Sequence, residues 1–328
     1  MSTFVTAAVV TFVITLILGK ISIPMLHRLH FGQPVRDDGP QSHLKKSGTP
    51  TMGGIFVVIS MVIAALIFMG STSDLLFEML IGSMLFSVIG LIDDVLKVRE
   101  HNSKGLRAWQ KVLMQIVIGI GVGFYCLHDP QIPTSFYIPF ARTEVELGGW
   151  FVPFCVIYIM AVTNSVNLTD GLDGLAGSST AVNALAYGVL FMLASGLSVV
   201  IDESIIADGT VFSAILLGST LGFLFYNSNP ASVFMGDVGS FLFGGALSMV
   251  SIITKTELLM IVLGFVYVLS SVSVILQVGS YKLRHKRIFK MAPLHHHFEL
   301  KGYKETKIVA AYTIVTAICS MLFLLLTK

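Results

Sequence analysis

The chain has 328 residues, of which 54% are hydrophobic and 12% charged, with a mean hydropathy of +0.83. Soluble domains carry about twice that charge fraction, near 25%, so these values exclude a soluble globular protein, a disordered chain and a disulfide scaffold. The formal net charge of +2 says little by itself; where the charges sit says more.

Apolar runs of about 20 residues are needed to cross a bilayer. In chain order they fall at Met1–Leu18, Gly53–Gly70, Leu75–Ile92, Val112–Leu127, Trp150–Val166, Ser179–Leu197, Thr210–Tyr226, Gly239–Thr254, Leu258–Gly279 and Ile308–Leu326. This predicts an all-α polytopic membrane protein of about ten transmembrane helices in one membrane-embedded domain over residues 1–328. The first run has no basic residue before it, with Lys20 and Arg28 following. It therefore reads as a retained helix with its N-terminus outside, rather than as a cleaved signal peptide. An even number of spans puts both termini outside.

The lysines and arginines test this topology, because short cytoplasmic loops are enriched in them. Arg28, Arg36, Lys45 and Lys46 follow span one. Lys97, Arg99, Lys104, Arg107 and Lys111 follow span three, and eight more lie between Lys282 and Lys307, after span nine. Together 17 of the 21 basic residues fall at junctions of one side, which predicts that the odd-to-even junctions are cytoplasmic. Cys126, Cys155 and Cys319 lie in or at the ends of apolar spans without CxxC spacing and read as small buried hydrophobes. The connector His128–Gly149 carries no evident chemical signature.

Chemistry-bearing residues gather at the same junctions. KKSGTPTMGG, residues 45–54, leads into span two with Lys46 beside a glycine- and proline-constrained backbone. GLIDDVLKV ends span three with Asp93 and Asp94, and Lys97 lies one helical turn on. Carboxylates at a membrane helix end are expensive unless they serve a site, although a solvated end with a local salt bridge is the simple alternative. NSVNLTDGLDGLAGS, residues 164–178, combines Asn164, Asn167, Thr169, Asp170 and Asp173 with three glycines and no basic residue. That composition suits a turn opening a helix where backbone amides approach a phosphate or nucleobase. An EF-hand is rejected because its ligand ladder and terminal Glu are missing.

YNSNPASVFMGDVGSF, residues 226–241, places Asn227 and Asn229 before Pro230, and Asp237 between Gly236 and Gly239. Helix capping by Asp237 or Ser240 would explain part of it. An acidic loop on the face that collects Lys and Arg points to a cation. The loop after span nine joins a basic stretch, KLRHKRIFK, to MAPLHHHFELKGYKE. Three consecutive imidazoles, His295, His296 and His297, cannot share one helix face, so they are weak as a zinc site and suit hydrogen bonds to phosphates or sugar hydroxyls. An interfacial amphipathic helix is expected within 281–304. Hard oxygen ligands, few per loop, favour Mg²⁺ or Mn²⁺ bridging protein and a diphosphate.

GLIDDVLKV, NLTDGLDGLAG, FMGDVGS and MAPLHHHFE resemble the motifs of the polyprenyl-phosphate N-acetylhexosamine-1-phosphate transferases, over essentially the whole chain. TPTMGG and PLHHHFE resemble the branch whose donor is UDP-N-acetylmuramoyl-pentapeptide. The resemblance implies a bacterial inner-membrane enzyme of peptidoglycan synthesis that transfers the phospho-sugar to undecaprenyl phosphate, giving lipid I and UMP with Mg²⁺ as cofactor. It implies Asp93, Asp94 and Asp237 as catalytic residues and Asp237 as metal ligand with Asn167 beside it. It further implies Lys46, Asn164, Asp170, Gly171, Leu172, Asp173, Asn227 and Phe234 around the nucleotide and its phosphates. Lys97 and Lys111 would neutralise phosphate charge, and His295, His296 and His297 would line the sugar-proximal side. Direct attack, with Asp93 as base or orienter, is preferred over a covalent aspartyl intermediate. The lipid bilayer is a partner, no nucleic acid is expected, and a homodimer is compatible with the sequence. A sister transferase using UDP-N-acetylglucosamine and, from another class, a secondary transporter are the competing readings; transporter acids should sit near the midplane.

Overall fold

The computed structural model describes residues 1–28, 46, 48–71, 74–100, 105–132, 134–139, 141–193 and 203–327. Arg36, Lys45 and Lys104, used above for topology, lie outside the described residues, as does the end of span six. The helices are α1 (Ser2–Arg28), α2 (Gly54–Phe68), α3 (Leu75–Arg99), α4 (Ala108–His128), α5 (Phe151–Thr169), α6 (Leu175–Met192), α7 (Glu203–Asn227), α8 (Gly236–Ile253), α9 (Leu259–Leu263), α10 (Phe265–Arg284), α11 (Leu294–Glu299) and α12 (Glu305–Leu326). Helices satisfy every backbone group internally, which hydrocarbon demands.

Among the described residues, nine helices are long and apolar enough to span a membrane. The predicted second span is the exception. Its helix, α2, has 15 residues and closes in a 3-10 turn at Met69–Ser71. Predicted span nine also differs, because it divides at Gly264 into α9 and α10. Gly264 closes the last turn of α9 with its amide on the Met260 carbonyl (2.7 Å) but leaves the helical conformation at φ −89° and ψ 23°, and a Cβ at this position would lie 2.9 Å from that carbonyl. Nor is the chain wholly helical. The connector between α4 and α5 folds as an antiparallel hairpin of β1 (Ser135–Ile138) and β2 (Thr143–Glu146), pairing Ser135 with Glu146 and Ile138 with Thr143. Glu144 of β2 is tied to Lys255, in the turn after α8, by an ion pair of 2.8 Å.

Helix α8 is the centre of the bundle and is buried from Val238 to Ile253. Without a hydrophobic drive between helices in lipid, close approach through small residues does the packing. A Cβ on Gly82 would meet the Met249 side chain, and one on Gly245 would meet Ser83, so α3 and α8 lie against each other along their length. At their shared end the approach is tightest, because a Cβ on Gly90 would sit 2.1 Å from the Asp237 carbonyl oxygen. Gly54 of α2 likewise abuts the Gly239 backbone, where an added Cβ would lie 2.2 Å from its nitrogen. The outer helices α1, α4, α10 and α12 keep apolar faces exposed, with residues such as Val117, Ile275 and Leu325.

Gly90→Ala should therefore push α3 off α8 and cost about 1–3 kcal/mol, the range for overpacking a filled core. Gly121→Ala in α4, where an added Cβ meets nothing within 4 Å, should be neutral or slightly stabilising. Thermal unfolding of the two variants in detergent checks this difference.

Candidate active site

The C-terminal ends of α3, α5 and α7 and the middle of α10, at Ser273, meet the N-terminal ends of α4, α6, α8, α11 and α12 on one face of the bundle, as the bonds between them establish. Asp93 and Asp94 are carried to this face by the last turns of α3 and are both buried. The Gly90 contact sets them beside Asp237, and carboxylate oxygens of the three residues lie within 4.8 Å of one another.

Two lysines are threaded between these acids. Lys97 Nζ lies 2.5 Å from Asp93 Oδ2 and 3.2 Å from Asp237 Oδ2, and Lys111 Nζ lies 2.9 Å and 2.7 Å from the same two oxygens. With all five groups ionised, one net negative charge remains. The solvated-end alternative for Asp93 is thereby excluded, since its other oxygen accepts the Leu106 amide at 2.7 Å. Breaking a buried pair of this kind strands a charge, so the five side chains stand or fall together.

Asp94 does something different. Helix α8 has no side-chain cap of its own, and Asp94 Oδ2 accepts the Val238 amide (3.1 Å) from the neighbouring helix. Asp237 is the second residue of α8 and does not cap it. Asn167, in the last turn of α5, donates through Nδ2 to Asp237 Oδ1 (2.9 Å) and Ser240 Oγ (2.8 Å), so the predicted metal-side pair are direct neighbours. Asn164, one turn earlier, pairs instead with Gln115 of α4 and the Met160 carbonyl.

From Asn167 the chain turns through Asp170–Gly174 into α6, as the glycine pattern implies, with Gly174 left-handed at φ 78°. Burial, and then the carboxylates of Asp237, Asp94 and Asp173, push the Asp170 carboxyl up to about 8. So dense an acid field favours a cation. Gly171 faces the histidine helix, and a Cβ there would lie 2.3 Å from His295 Nε2 and 3.0 Å from His296 Nε2. His296 is steadied by Glu299, 2.6 Å from its Nδ1. His297 points elsewhere, as successive helical residues must. Its Nδ1 accepts the Lys290 amide (3.0 Å), and burial with the charges of Lys301 and Lys290 lowers its pKa. It braces the loop rather than lining the site with the other two. The helix expected in this loop is the six-residue α11.

A second polar cluster surrounds Lys46. Its Nζ lies 2.7 Å from both Asp173 Oδ1 and Glu305 Oε1. Burial works against this charge, but the hydrogen bonds and charges of the two carboxylates outweigh it and raise the lysine pKa. Asp173 Oδ2 also accepts from Asn229 Nδ2 and the Ala231 amide, each at 3.1 Å. Asn227 is spent internally: its Oδ1 accepts the Gly174 amide (3.0 Å) and its Nδ2 donates to the Val233 carbonyl (2.9 Å). Leu172 is buried and Phe234 half-buried. The Phe234 backbone pairs with Pro50 and Gly53, laying the 50–54 segment along 233–235. Glu305 and Gln115 were missed by sequence reasoning. The only signal for Glu305 was an acid in the first turn of the last span amid lysines, which a helix dipole alone would explain.

A membrane bundle with a partly buried acid–lysine cluster at its helix ends is the class this geometry defines, and likeness to known proteins narrows it. The pattern of the glycosyl transferase family 4 matches residues 76–255, and the phospho-N-acetylmuramoyl-pentapeptide-transferase signature 1 matches residues 46–58. Proteins named phospho-N-acetylmuramoyl-pentapeptide-transferase share 44% identity in Clostridium novyi (100% of this chain, 98% of the relative). Those from Clostridium kluyveri and Caldanaerobacter subterraneus share 46% and 47%, each over 95% of both chains. The chain belongs to glycosyl transferase family 4 and, within it, to the phospho-N-acetylmuramoyl-pentapeptide-transferase family.

Asn227→Ala should leave the Gly174 amide and Val233 carbonyl without partners and cost about 2–4 kcal/mol, at roughly 1–3 for each stranded group. Ser228→Ala, on the exposed neighbour that bonds only within its own helix, should change stability by no more than about 0.5 kcal/mol. Paired unfolding curves of the two variants measure the contrast.

Proposed function

We propose that this chain transfers phospho-N-acetylmuramoyl-pentapeptide from its UDP-linked donor to undecaprenyl phosphate, forming lipid I and UMP. The observation that carries the reading is the ion-paired, partly buried set Asp93, Asp237, Lys97 and Lys111 at the membrane helix ends, joined through Asn167 and the 170–174 turn to the Lys46 cluster. One substrate is a soluble nucleotide sugar and the other a phosphate on a hydrocarbon tail. Only a site at a membrane face meets both. The basic-residue distribution supports the cytoplasmic face of a bacterial plasma membrane, with both termini opposite.

The donor set supports a hard divalent cation. Asp237, Asp93 and Asp94 offer carboxylate oxygens within 4.8 Å of one another, and Asn167 adds an amide beside Asp237. Mg²⁺ is the ion such oxygens favour, held by Asp237 with Asn167, and it would offset charge on the diphosphate under attack. Lys97 and Lys111, now paired with Asp93 and Asp237, are positioned to turn to the phosphates of the bound substrates. Asp93, held by the Leu106 amide and both lysines, orients those ammonium groups. A lipid phosphate largely ionised near pH 7 needs no strong base, which supports direct attack over an aspartyl intermediate.

The Lys46, Asp173 and Phe234 region supports binding of the uridine end, and His295 and His296, against Gly171, support contacts on the sugar side. For the lipid, an apolar cavity of about 290 Å³ lies between α5, α9 and α10, lined by Ile157, Ala161, Met260 and Val268. Helix α5 therefore runs from that apolar space to Asn167. Placement of the acids at one bundle face, rather than at mid-depth, disfavours a transporter.

Purified protein with undecaprenyl phosphate should release UMP from UDP-N-acetylmuramoyl-pentapeptide and not from UDP-N-acetylglucosamine. Release from the second donor alone would assign the sister reaction. Chromatographic assay of UMP distinguishes the two without sealed compartments.

A further inference from the structure

Glu305, in the first turn of α12, closes the MAPLHHHFELKGYKE segment without a role assigned to it there, yet it joins three separate segments of the active face. Its Oε1 accepts from Lys46 Nζ (2.7 Å) and from the Asp173 amide (2.7 Å), and its Oε2 accepts from Asn229 Nδ2 (3.1 Å). Lys46 precedes the 50–54 segment, Asp173 lies in the turn opening α6, and Asn229 follows α7. A carboxylate present only to oppose its own helix dipole would turn to the first amides of α12. This one directs three bonds to other elements. Its side chain is 13% exposed, whereas its neighbours Lys304 and Lys307 are exposed.

We propose that Glu305 is a positioning residue for the nucleotide donor, fixing the direction of Lys46 and the orientation of the Asp170–Gly174 turn. The proposal rests on the reading of the Lys46 region as the uridine side of the site. A single carboxylate partner would leave the flexible lysine free to swing around Asp173. With Glu305 opposite Asp173, the ammonium is held between two oxygens, and the order it needs on binding is already present. The Glu305 bond to the Asp173 amide acts on the same turn from its backbone. Nothing in this arrangement touches the Asp93–Asp237 cluster, so its effect should fall on donor affinity and not on the acceptor lipid or the chemical step.

The full-length protein in detergent, with variants Glu305→Ala, Glu305→Gln, Lys46→Ala and the double variant Lys46→Ala/Glu305→Ala, provides the test. Binding of UMP by calorimetry and KM for both substrates are measured, with Lys307→Ala as control. Glu305→Ala should weaken UMP binding and raise the donor KM about 10-fold, the effect of one charge-assisted hydrogen bond, with kcat and the undecaprenyl phosphate KM within about 2-fold. Glu305→Gln keeps an oxygen acceptor for Lys46 and the Asp173 amide and should recover most of the loss. In the Lys46→Ala background, Glu305→Ala should cost clearly less than its roughly 10-fold in the wild type, because the part of its effect carried by Lys46 is already lost and only the part carried by the Asp173 amide remains. UMP affinity of Glu305→Ala within 2-fold of wild type, full additivity with Lys46→Ala, or an equal rise of both substrates' KM would overturn the assignment. If the wild type binds UMP but transfers nothing from the muramoyl-pentapeptide donor, the proposed reaction falls while the UMP ratios still decide the role of Glu305.

Discussion

The site depends on one contact: the last turns of α3 laid against the first turn of α8 with no side chain between them at Gly90. That approach sets Asp93 and Asp94 against Asp237 and creates a density of negative charge that membrane burial would not tolerate alone. Lys97 comes from the same helix as the two acids, one turn on, and Lys111 from the next helix, so the compensating charges are built into the same packing. Asp94 closes the arrangement by accepting the Val238 amide, which makes an acid of one helix the cap of another. Geometry and charge are therefore not separate features here. Loss of the α3–α8 contact would remove the cap, the ion pairs and the acid cluster together.

Around that contact the polar loops divide their work. Asn227 and His297, both among the residues expected to meet substrate, are engaged with backbone groups and hold loops in place. Lys46, Asp173 and Glu305 form a cluster of their own, linked to the acids by the Asp170–Gly174 turn. The glycine at 171 is needed because two imidazoles occupy the space a Cβ would fill. Rigid apolar helices thus carry a face composed almost entirely of short turns, and each turn is pinned by side chains from elsewhere in the chain.

Much of this was legible in the sequence, for physical reasons. Long apolar runs have one solution in a bilayer, so the helices were readable, and the acids stood out because charge is scarce. The breaks were less visible. Gly264 lies in an unbroken apolar run, and its effect comes from Met260 packing that no periodicity records. The β1–β2 hairpin was hidden in a polar connector, where four-residue strands leave a weak pattern. Pairings between distant elements were the least readable. Asp94 with Val238 and Lys46 with Glu305 are separated by more than a hundred residues, and a local motif cannot announce its partner. For the same reason the bonds of Asn227 to the Gly174 amide and the Val233 carbonyl could not be read from its motif.

The rate of UMP release as a function of Mg²⁺ concentration, measured for the wild type and for Asp237→Asn, reads out whether the carboxylate that the α3–α8 contact sets beside Asp93 holds a catalytic cation. Asparagine keeps one oxygen to accept from Asn167 but loses the carboxylate that pairs with Lys97 and Lys111, so thermal unfolding of the variant is measured first to establish that it is folded. Saturable, metal-dependent release is expected from the wild type and none from the folded variant at any Mg²⁺ concentration. Wild-type rates from Asp237→Asn at saturating Mg²⁺ would contradict it.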